Sequence, residues 1–251
     1  MFKKIPFLSN LFSGKFRKSE FDFSAIEKIL DYSFKNKSLL RQALKHSSYL
    51  SVTKESSLES NERLEFLGDA VLELVVTDYL YCSFPDHGEG HLSKIKSVLV
   101  SRKVLAEIVI RKGLGKFLLL DHGEEKTGGK TRISNMANLY EALIGAIYLD
   151  SGLEHAVKFM DHTLLSRYRT ILKDEKFINY KSILLEYIQG RKEGIPVYHL
   201  LEASGPDHDK RFIMQVSIPG GPTAQGEGKS KKIAEQKSAK SLLSKIAPEL
   251  I

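Results

Sequence analysis

The chain has 251 residues, 42% of them hydrophobic, and one cysteine, Cys82. That is enough for one large domain or two smaller ones with real cores, and it excludes an internal disulfide or a cysteine-based metal cluster. The formal net charge of +7 is uneven: residues 1–20 carry 5 Lys/Arg and 1 Asp/Glu, residues 176–251 carry 12 and 8, and the middle carries 21 and 22. Two basic ends around a near-neutral middle suit an anionic polymer held by one part of the chain and worked on by another.

In chain order, Met1 to Phe12 mixes Phe with Lys, but it has neither a long apolar stretch nor a small-residue cleavage site. It reads as a poorly ordered basic tail over 1–20 and not as a signal peptide. No run approaches the length needed to cross a bilayer, so no membrane partner is expected. From Phe21 to Leu172 the periodicity is helical, with segments Ser24 to Leu30, Leu39 to Ser47, Glu62 to Tyr81, Gly90 to Lys112, Met136 to Tyr148 and Leu153 to Leu172. Few stretches alternate with period two, so this region is expected to be all-α.

The most informative stretch runs from Asn61 to Val76, where acids sit inside an otherwise apolar run. On a helix, Glu62, Glu65 and Asp69 fall at i, i+3 and i+7, within an arc of roughly 60°. The other positions are apolar nearly all round, which predicts a buried helix whose acids face a cleft or a partner. Two carboxylates about 5 Å apart repel by roughly 3 kcal/mol at an effective dielectric of about 20, so such a stripe calls for protons, basic partners or a cation. Oxygen ligands favour hard divalent ions such as Mg²⁺, Mn²⁺ or Ca²⁺. A solvated acidic face is the plainer alternative.

Asn61 to Leu72 resembles, nearly residue for residue, the signature stretch of ribonuclease III, the double-stranded-RNA endonuclease family. His46 is similar to the histidine of the family's Leu-x-His-x-Ser segment and is expected to be structural. Glu89 matches a family acid that precedes a Leu-Ser pair. His87 and His91 stand at i, i+4, but the glycines between them argue against a zinc helix. The run Lys116 to Thr131 ends in Gly-Lys-Thr and imitates a phosphate-binding loop, yet the glycine such a loop requires falls on Glu124. A nucleotide site is therefore rejected. Lys130 and Arg132 stand as candidate contacts to RNA backbone. The second acidic constellation, Asn138 and Glu141 at i and i+3, lies on another apolar helix. The family usually has aspartate where this chain has Asn138, and an amide oxygen still ligates hard cations without contributing charge.

After a charged linker at 173–177, the pattern becomes α-β-β-β-α over 178–248: a helix from Asn179 to Gly190, strands at Pro196 to Glu202, Lys210 to Ile218 and Thr223 to Gly226, and a helix from about Lys229 to Ile246. This is similar to the double-stranded-RNA-binding domain. The resemblance implies minor-groove contacts from Glu186, Gln189 and His208, and phosphate contacts from Lys231 and Lys232. Lys229, Lys231 and Lys232 also flank a helix N-terminus that attracts anions in its own right.

The expected architecture is thus multidomain: an all-α endonuclease domain over 21–172 followed by an α+β (α-β-β-β-α) RNA-binding domain. The resemblance implies a cytoplasmic, homodimeric endoribonuclease that hydrolyses double-stranded RNA, processing structured precursors such as ribosomal RNA. It implies Mg²⁺, with Mn²⁺ as substitute, held by Glu65, Asp69, Asn138 and Glu141, of which Asp69 and Glu141 are catalytically essential. Glu62 and Glu89 form an outer acidic cluster, Phe66 plugs into the partner subunit, and Glu73 is structural. The rival reading is a double-stranded-RNA-binding regulator that no longer cleaves, with Asn138 as its mark.

Overall fold

A computed structural model of the protein describes residues 23–206 and 209–251, so the tail at 1–20 and His208 lie outside the described residues. The chain divides between Tyr168 and Arg169 into two compact units. The first is helical throughout: α1 Ser24–Leu30, α2 Lys37–Ala43, α3 Leu50–Thr53, α4 Glu62–Ser83, α5 Glu89–Leu99, α6 Arg102–Arg111, α7 His122–Lys126, α8 Ile133–Ser151 and α9 Leu153–Thr163. A further helix, α10 Tyr168–Lys173, spans the division.

Helices α4 and α8 form the centre of this unit, and α6 flanks α8. Almost every side chain of α8 from Asn135 to Ile147 is buried, each large aliphatic contributing about 1.5–3 kcal/mol on removal from water. Tyr140 is fully buried, and its hydroxyl lies 2.6 Å from Thr163 Oγ1. Thr163 donates to the Phe159 carbonyl (2.7 Å), so Tyr140 is the donor in the pair.

Helix α4 departs from the expectation of burial all round. Leu64, Val71, Leu72, Val75, Val76 and Leu80 are buried, but Phe66 is 83% exposed and Leu74 and Tyr81 are exposed as well. The covering helices take one side of α4 only, leaving an apolar stripe to solvent.

Two expected helices are broken. The stretch from Gly90 to Lys112 forms α5 and α6, because the Ser101 side chain accepts from Val104 N (3.4 Å) and starts a new helix;. The stretch from Leu153 to Leu172 is interrupted at Leu164, whose φ of −122° leaves the helical region, and a 3₁₀ turn at Leu165–Arg167 follows. His46 caps the 3₁₀ turn Ser47–Tyr49, its Nδ1 accepting from Ser48 N at 3.2 Å.

The β-prone run near Leu119 makes a single parallel bridge to Lys45. His46 N donates to Leu119 O (3.1 Å), and Leu119 N donates to Leu44 O (2.8 Å). The Lys45 carbonyl accepts from Asn61 N (2.8 Å), which fixes the start of α4. Lys45 itself is 3% exposed, and its ammonium meets Glu55 at 2.7 Å and Glu59 at 3.9 Å. The Glu55 carboxyl is subject to burial, which raises it, but hydrogen bonds from Lys45 and Thr53 hold it below the ordinary range;.

The second unit contains α11 Tyr180–Gly190, β1 Val197–Ser204, β2 Arg211–Ser217, β3 Thr223–Gly228 and α12 Lys231–Ile246. The strands form an antiparallel sheet in the order β1-β2-β3, with a bulge between Leu200 and Glu202. Leu184 and Ile188 of α11, Val216 of β2, and Leu242 and Leu243 of α12 build its core. Preceding α11, the stretch 173–177 carries a 3₁₀ turn at Glu175–Phe177, and Glu175 is paired to Lys240 at 2.8 Å.

Candidate active site and nucleic-acid interface

The geometry of the acidic site follows from two glycines. A Cβ built on Gly68 of α4 would lie 1.8 Å from the Glu141 carbonyl oxygen, and one built on Gly145 of α8 would lie 2.2 Å from the Leu64 carbonyl oxygen. The two backbones touch there, so side chains beside the crossing converge: Glu65 and Asp69 from α4, Asn138 and Glu141 from α8. Burial, followed by the charges of Asp69 and Glu65, pushes the Glu141 carboxyl up to about 7. Glu65 is raised by burial and by Glu62 and Asp69, and the Asn138 amide, within hydrogen-bonding reach, opposes that rise. The arrangement brings these four residues together; Glu62, at the start of α4, adds its charge to Glu65 and accepts from Ser60 Oγ at 3.3 Å.

These groups fit a hard cation. Their donors are all oxygen, and two of the carboxyls are raised, by burial first and then by their acidic neighbours, as binding of a cation would relieve;. Among the described residues no three His, Cys, Asp or Glu side chains are gathered closely enough to hold an ion by themselves. The amide of Asn138, beside Glu65, adds a further oxygen to this donor set;.

Glu89 is not brought to Glu62 within one chain. It begins α5, accepts from Ser93 Oγ (2.7 Å), and lines a cavity of about 630 Å³ with Thr77, Tyr81, Phe84 and Leu92. Along α4, Thr77 stands about 22 Å beyond Glu62 at 1.5 Å per residue. Glu73 pairs with Lys96 of α5 at 2.7 Å, a structural tie. The rings of His87 and His91 lie side by side, centroids 4.5 Å apart and planes tilted by 52°.

The loop that imitates a phosphate site is closed by its own side chains. Asp121 caps α7 by accepting from Glu124 N (2.7 Å), and Glu124 accepts from Asn135 Nδ2 (2.9 Å) and pairs with Arg132. Lys130 pairs with Glu125. Both cations considered for RNA contact are thus engaged within the loop. One cation with no motif around it bears on the acidic site electrostatically: the charge of Arg102, the first residue of α6, opposes the rise of both Glu65 and Glu141.

In the second unit, Glu186 and Gln189 are exposed one turn apart on α11. Helix α12 starts later than Lys229, Ser230 being its cap (Ile233 N to Ser230 Oγ, 3.3 Å). Lys231 and Lys232 are therefore exposed in its first turn, where backbone N–H groups are unsatisfied;. A groove of about 740 Å³ between α11 and α12 is lined by Lys181, Lys231, Lys232 and Tyr198. Lys229 lies 3.5 Å from Asp209. Gly226 and Gly228 serve packing: a Cβ on Gly226 would come within 2.2 Å of Ser238 N, so glycine lets β3 pass directly beneath α12.

Residues 36–168 match the Ribonuclease-III-like family model and residues 180–246 the Double-stranded RNA binding motif. The chain belongs to the ribonuclease III family. It is 42% identical over 221 residues to the Ribonuclease 3 of Fusobacterium nucleatum, covering 88% of this chain and 94% of the relative. It is 43% identical over 225 residues to that of Carboxydothermus hydrogenoformans, covering 90% and 96%. The crystal structure of the nuclease domain of ribonuclease III from Campylobacter jejuni aligns with a TM-score of 0.53 at 40% identity, covering 61% of this chain and 97% of that one. As a ribonuclease III, the protein is a metal-dependent double-stranded-RNA endoribonuclease with a helical nuclease unit and an RNA-binding unit. The binding-only reading is not favoured. Among the described residues no helix is long and apolar enough to cross a membrane.

Proposed function

We propose that this ribonuclease III uses Mg²⁺, with Mn²⁺ as substitute, held by Glu65, Asp69, Asn138 and Glu141. The observation that carries this reading is the backbone contact at Gly68 and Gly145, which draws an oxygen-only donor set from two helices to one place. Bound divalent ions supply charge neutralisation and Lewis acidity at the phosphodiester. Asp69 and Glu141 are the residues without which cutting fails. With its carboxyl pushed to about 7, Glu141 holds a proton near neutrality in the cation-free site and gives it up when a cation is bound;.

The protein works in the cytoplasm as a homodimer on structured RNA precursors such as ribosomal RNA. In support of the dimer, Phe66 projects 83% exposed from α4, and the cavity beside Tyr81 and Phe84 offers an apolar socket of about 630 Å³. Seating Phe66 in the partner's socket would bring Glu89, which lines it, towards the Glu62 and Glu65 next to Phe66, completing an outer acidic cluster that one chain leaves divided. The second unit grips the duplex through Glu186, Gln189, His208, Lys229, Lys231 and Lys232, reading shape and 2′-hydroxyls more than sequence.

The experiment is incubation of long double-stranded RNA with the protein and Mg²⁺, beside an EDTA control. Short duplex products with Mg²⁺ alone are expected. Intact RNA at every Mg²⁺ and Mn²⁺ concentration would overturn the reading.

A further inference from the structure

We propose that the N-terminal segment 2–12 docks back on its own chain, in an apolar groove between α4 and α9.

The groove has a volume of about 430 Å³. Leu74 and Val75 of α4, Leu153 and Val157 of α9, and Leu165 give it an apolar floor, of which Leu74, Leu153 and Val157 are exposed. It faces away from the socket at Tyr81 and Phe84: Asp78 and Cys82, which line the groove, stand roughly 120–160° around α4 from Phe66;. Its charge has one sign. Asp78 of α4 and Asp161 of α9 line it and no Lys or Arg does, and among the described residues neither aspartate is held in an ion pair.

Residues 2–12 supply the complement. Phe2, Ile5, Phe7, Leu8, Leu11 and Phe12 are apolar, and the charged residues of this stretch are Lys3 and Lys4, both cationic. The length of chain between them and the fold also suits the groove. The end of α1 lies beside α9, the rings of Tyr32 and His155 having centroids 5.9 Å apart. A path from Phe23 to the groove therefore runs along α1, about 10 Å, and around α9, about 10–12 Å across. The ten residues 13–22 span about 33 Å when extended, enough to make that crossing. A tethered segment acts at an effective concentration on the order of 1 mM, so an affinity of about 0.25 mM keeps the groove filled about four-fifths of the time. A second copy paired across the same groove by a two-fold would return the same two aspartates to it, adding like charge where the N-terminal segment brings lysines.

Cys82 lines the groove, is exposed and is the chain's one cysteine, so its alkylation by iodoacetamide reports what covers the groove. The test compares the full chain with F7S/L8S, K3Q/K4Q and V157S, with melting temperatures to confirm that each variant is folded. F7S/L8S is expected to react about fivefold faster than wild type, and a synthetic peptide of residues 1–22 at millimolar concentration to slow it again. K3Q/K4Q is expected to give a smaller rise that disappears in about 1 M salt. V157S is expected to react faster too, with no further rise when it is combined with F7S/L8S, because both remove the same contact. Equal rates in wild type and F7S/L8S would overturn the proposal: fast rates at every protein concentration would show an open groove, and slow rates that rise on dilution would assign it to a second copy. A fast F7S/L8S that the peptide does not slow, or effects of V157S and F7S/L8S that multiply in full, would overturn it as well.

Discussion

Gly68 and Gly145 face each other across the crossing of α4 and α8, so closely that a Cβ on Gly68 would lie 2.9 Å from Gly145 N and one on Gly145 would lie 3.2 Å from Gly68 N. Neither clash can be relieved by a rotamer change, because the opposing atoms are backbone. Gly68→Ala must therefore push the helices apart, costing at least about 3 kcal/mol, the upper end of ordinary overpacking. It also separates Asp69 from Glu141. The expected result is a thermal midpoint lower by several degrees together with a loss of cleavage. A Gly68→Ala protein with wild-type melting and activity would show that the helices do not touch as described.

Asp69→Asn and Glu141→Gln should abolish cutting while leaving duplex affinity intact, since the lysines proposed to contact phosphate, Lys231 and Lys232, belong to the other unit. Gel-shift and cleavage assays on the same preparations test this. Robust Mg²⁺-dependent cleavage by either variant would displace the ligand assignment.

Asn138 offers a gain-of-charge experiment. Its amide opposes the rise of Glu65, whereas an aspartate there would add repulsion to an already crowded site. Asn138→Asp should lower the Mg²⁺ concentration for half-maximal cleavage by about fivefold, equivalent to about 1 kcal/mol of added attraction. It should also lower the melting temperature of the protein in EDTA. A Mg²⁺ requirement equal to or higher than that of wild type would count against the amide as a ligand.

A pH dependence of stability arises at Asp150, near the end of α8. Burial alone would raise its carboxyl, but it accepts from Tyr32 Oη (2.6 Å), Lys35 N (2.9 Å) and Asn36 N (2.7 Å), and the balance holds it below the ordinary carboxylate range. A carboxyl depressed in the fold stabilises it above the unfolded-state pKa, and that contribution is lost as pH falls through the folded one. Urea unfolding of wild type and Asp150→Asn should differ at pH 6 and converge as the acid range is entered. A difference that stays constant down to acid pH would contradict the linkage.

Lys231→Ala with Lys232→Ala should weaken duplex binding and flatten its salt dependence by about 0.9 for each phosphate left without its lysine. Binding titrations across a salt series decide it, and an unchanged slope would place the duplex on another face.

The apolar runs around Glu65 and Glu141 made both central helices legible, and the period change after 177 disclosed the α-β-β-β-α unit. What stayed hidden depended on neighbours distant in sequence. Ser101 sits among residues that favour a continuing helix, and only its hydrogen bond to Val104 N shows that it starts a new one. The exposure of Phe66 cannot be inferred from the apolar pattern of α4, where Leu64, Leu67 and Val71 look no different; it depends on which side of the helix its partners cover. The third strand, expected to end at Gly226, runs on to Gly228, and both glycines let it pass under α12, a role no local pattern shows. Arg102 carries no motif at all, and its charge bears on Glu65 and Glu141 only once the chain is folded.

The three residues 44–46 are joined through backbone hydrogen bonds to Leu119 on one side and to Asn61 on the other. Two segments far apart in the chain, one opening the helix of Glu62 and the other leading into the helix of Glu124, are thereby fastened to the same short piece of backbone. The amides of His46, Asn61 and Leu119 are therefore expected to become accessible together in native-state hydrogen exchange, although each belongs to a different stretch of irregular chain;.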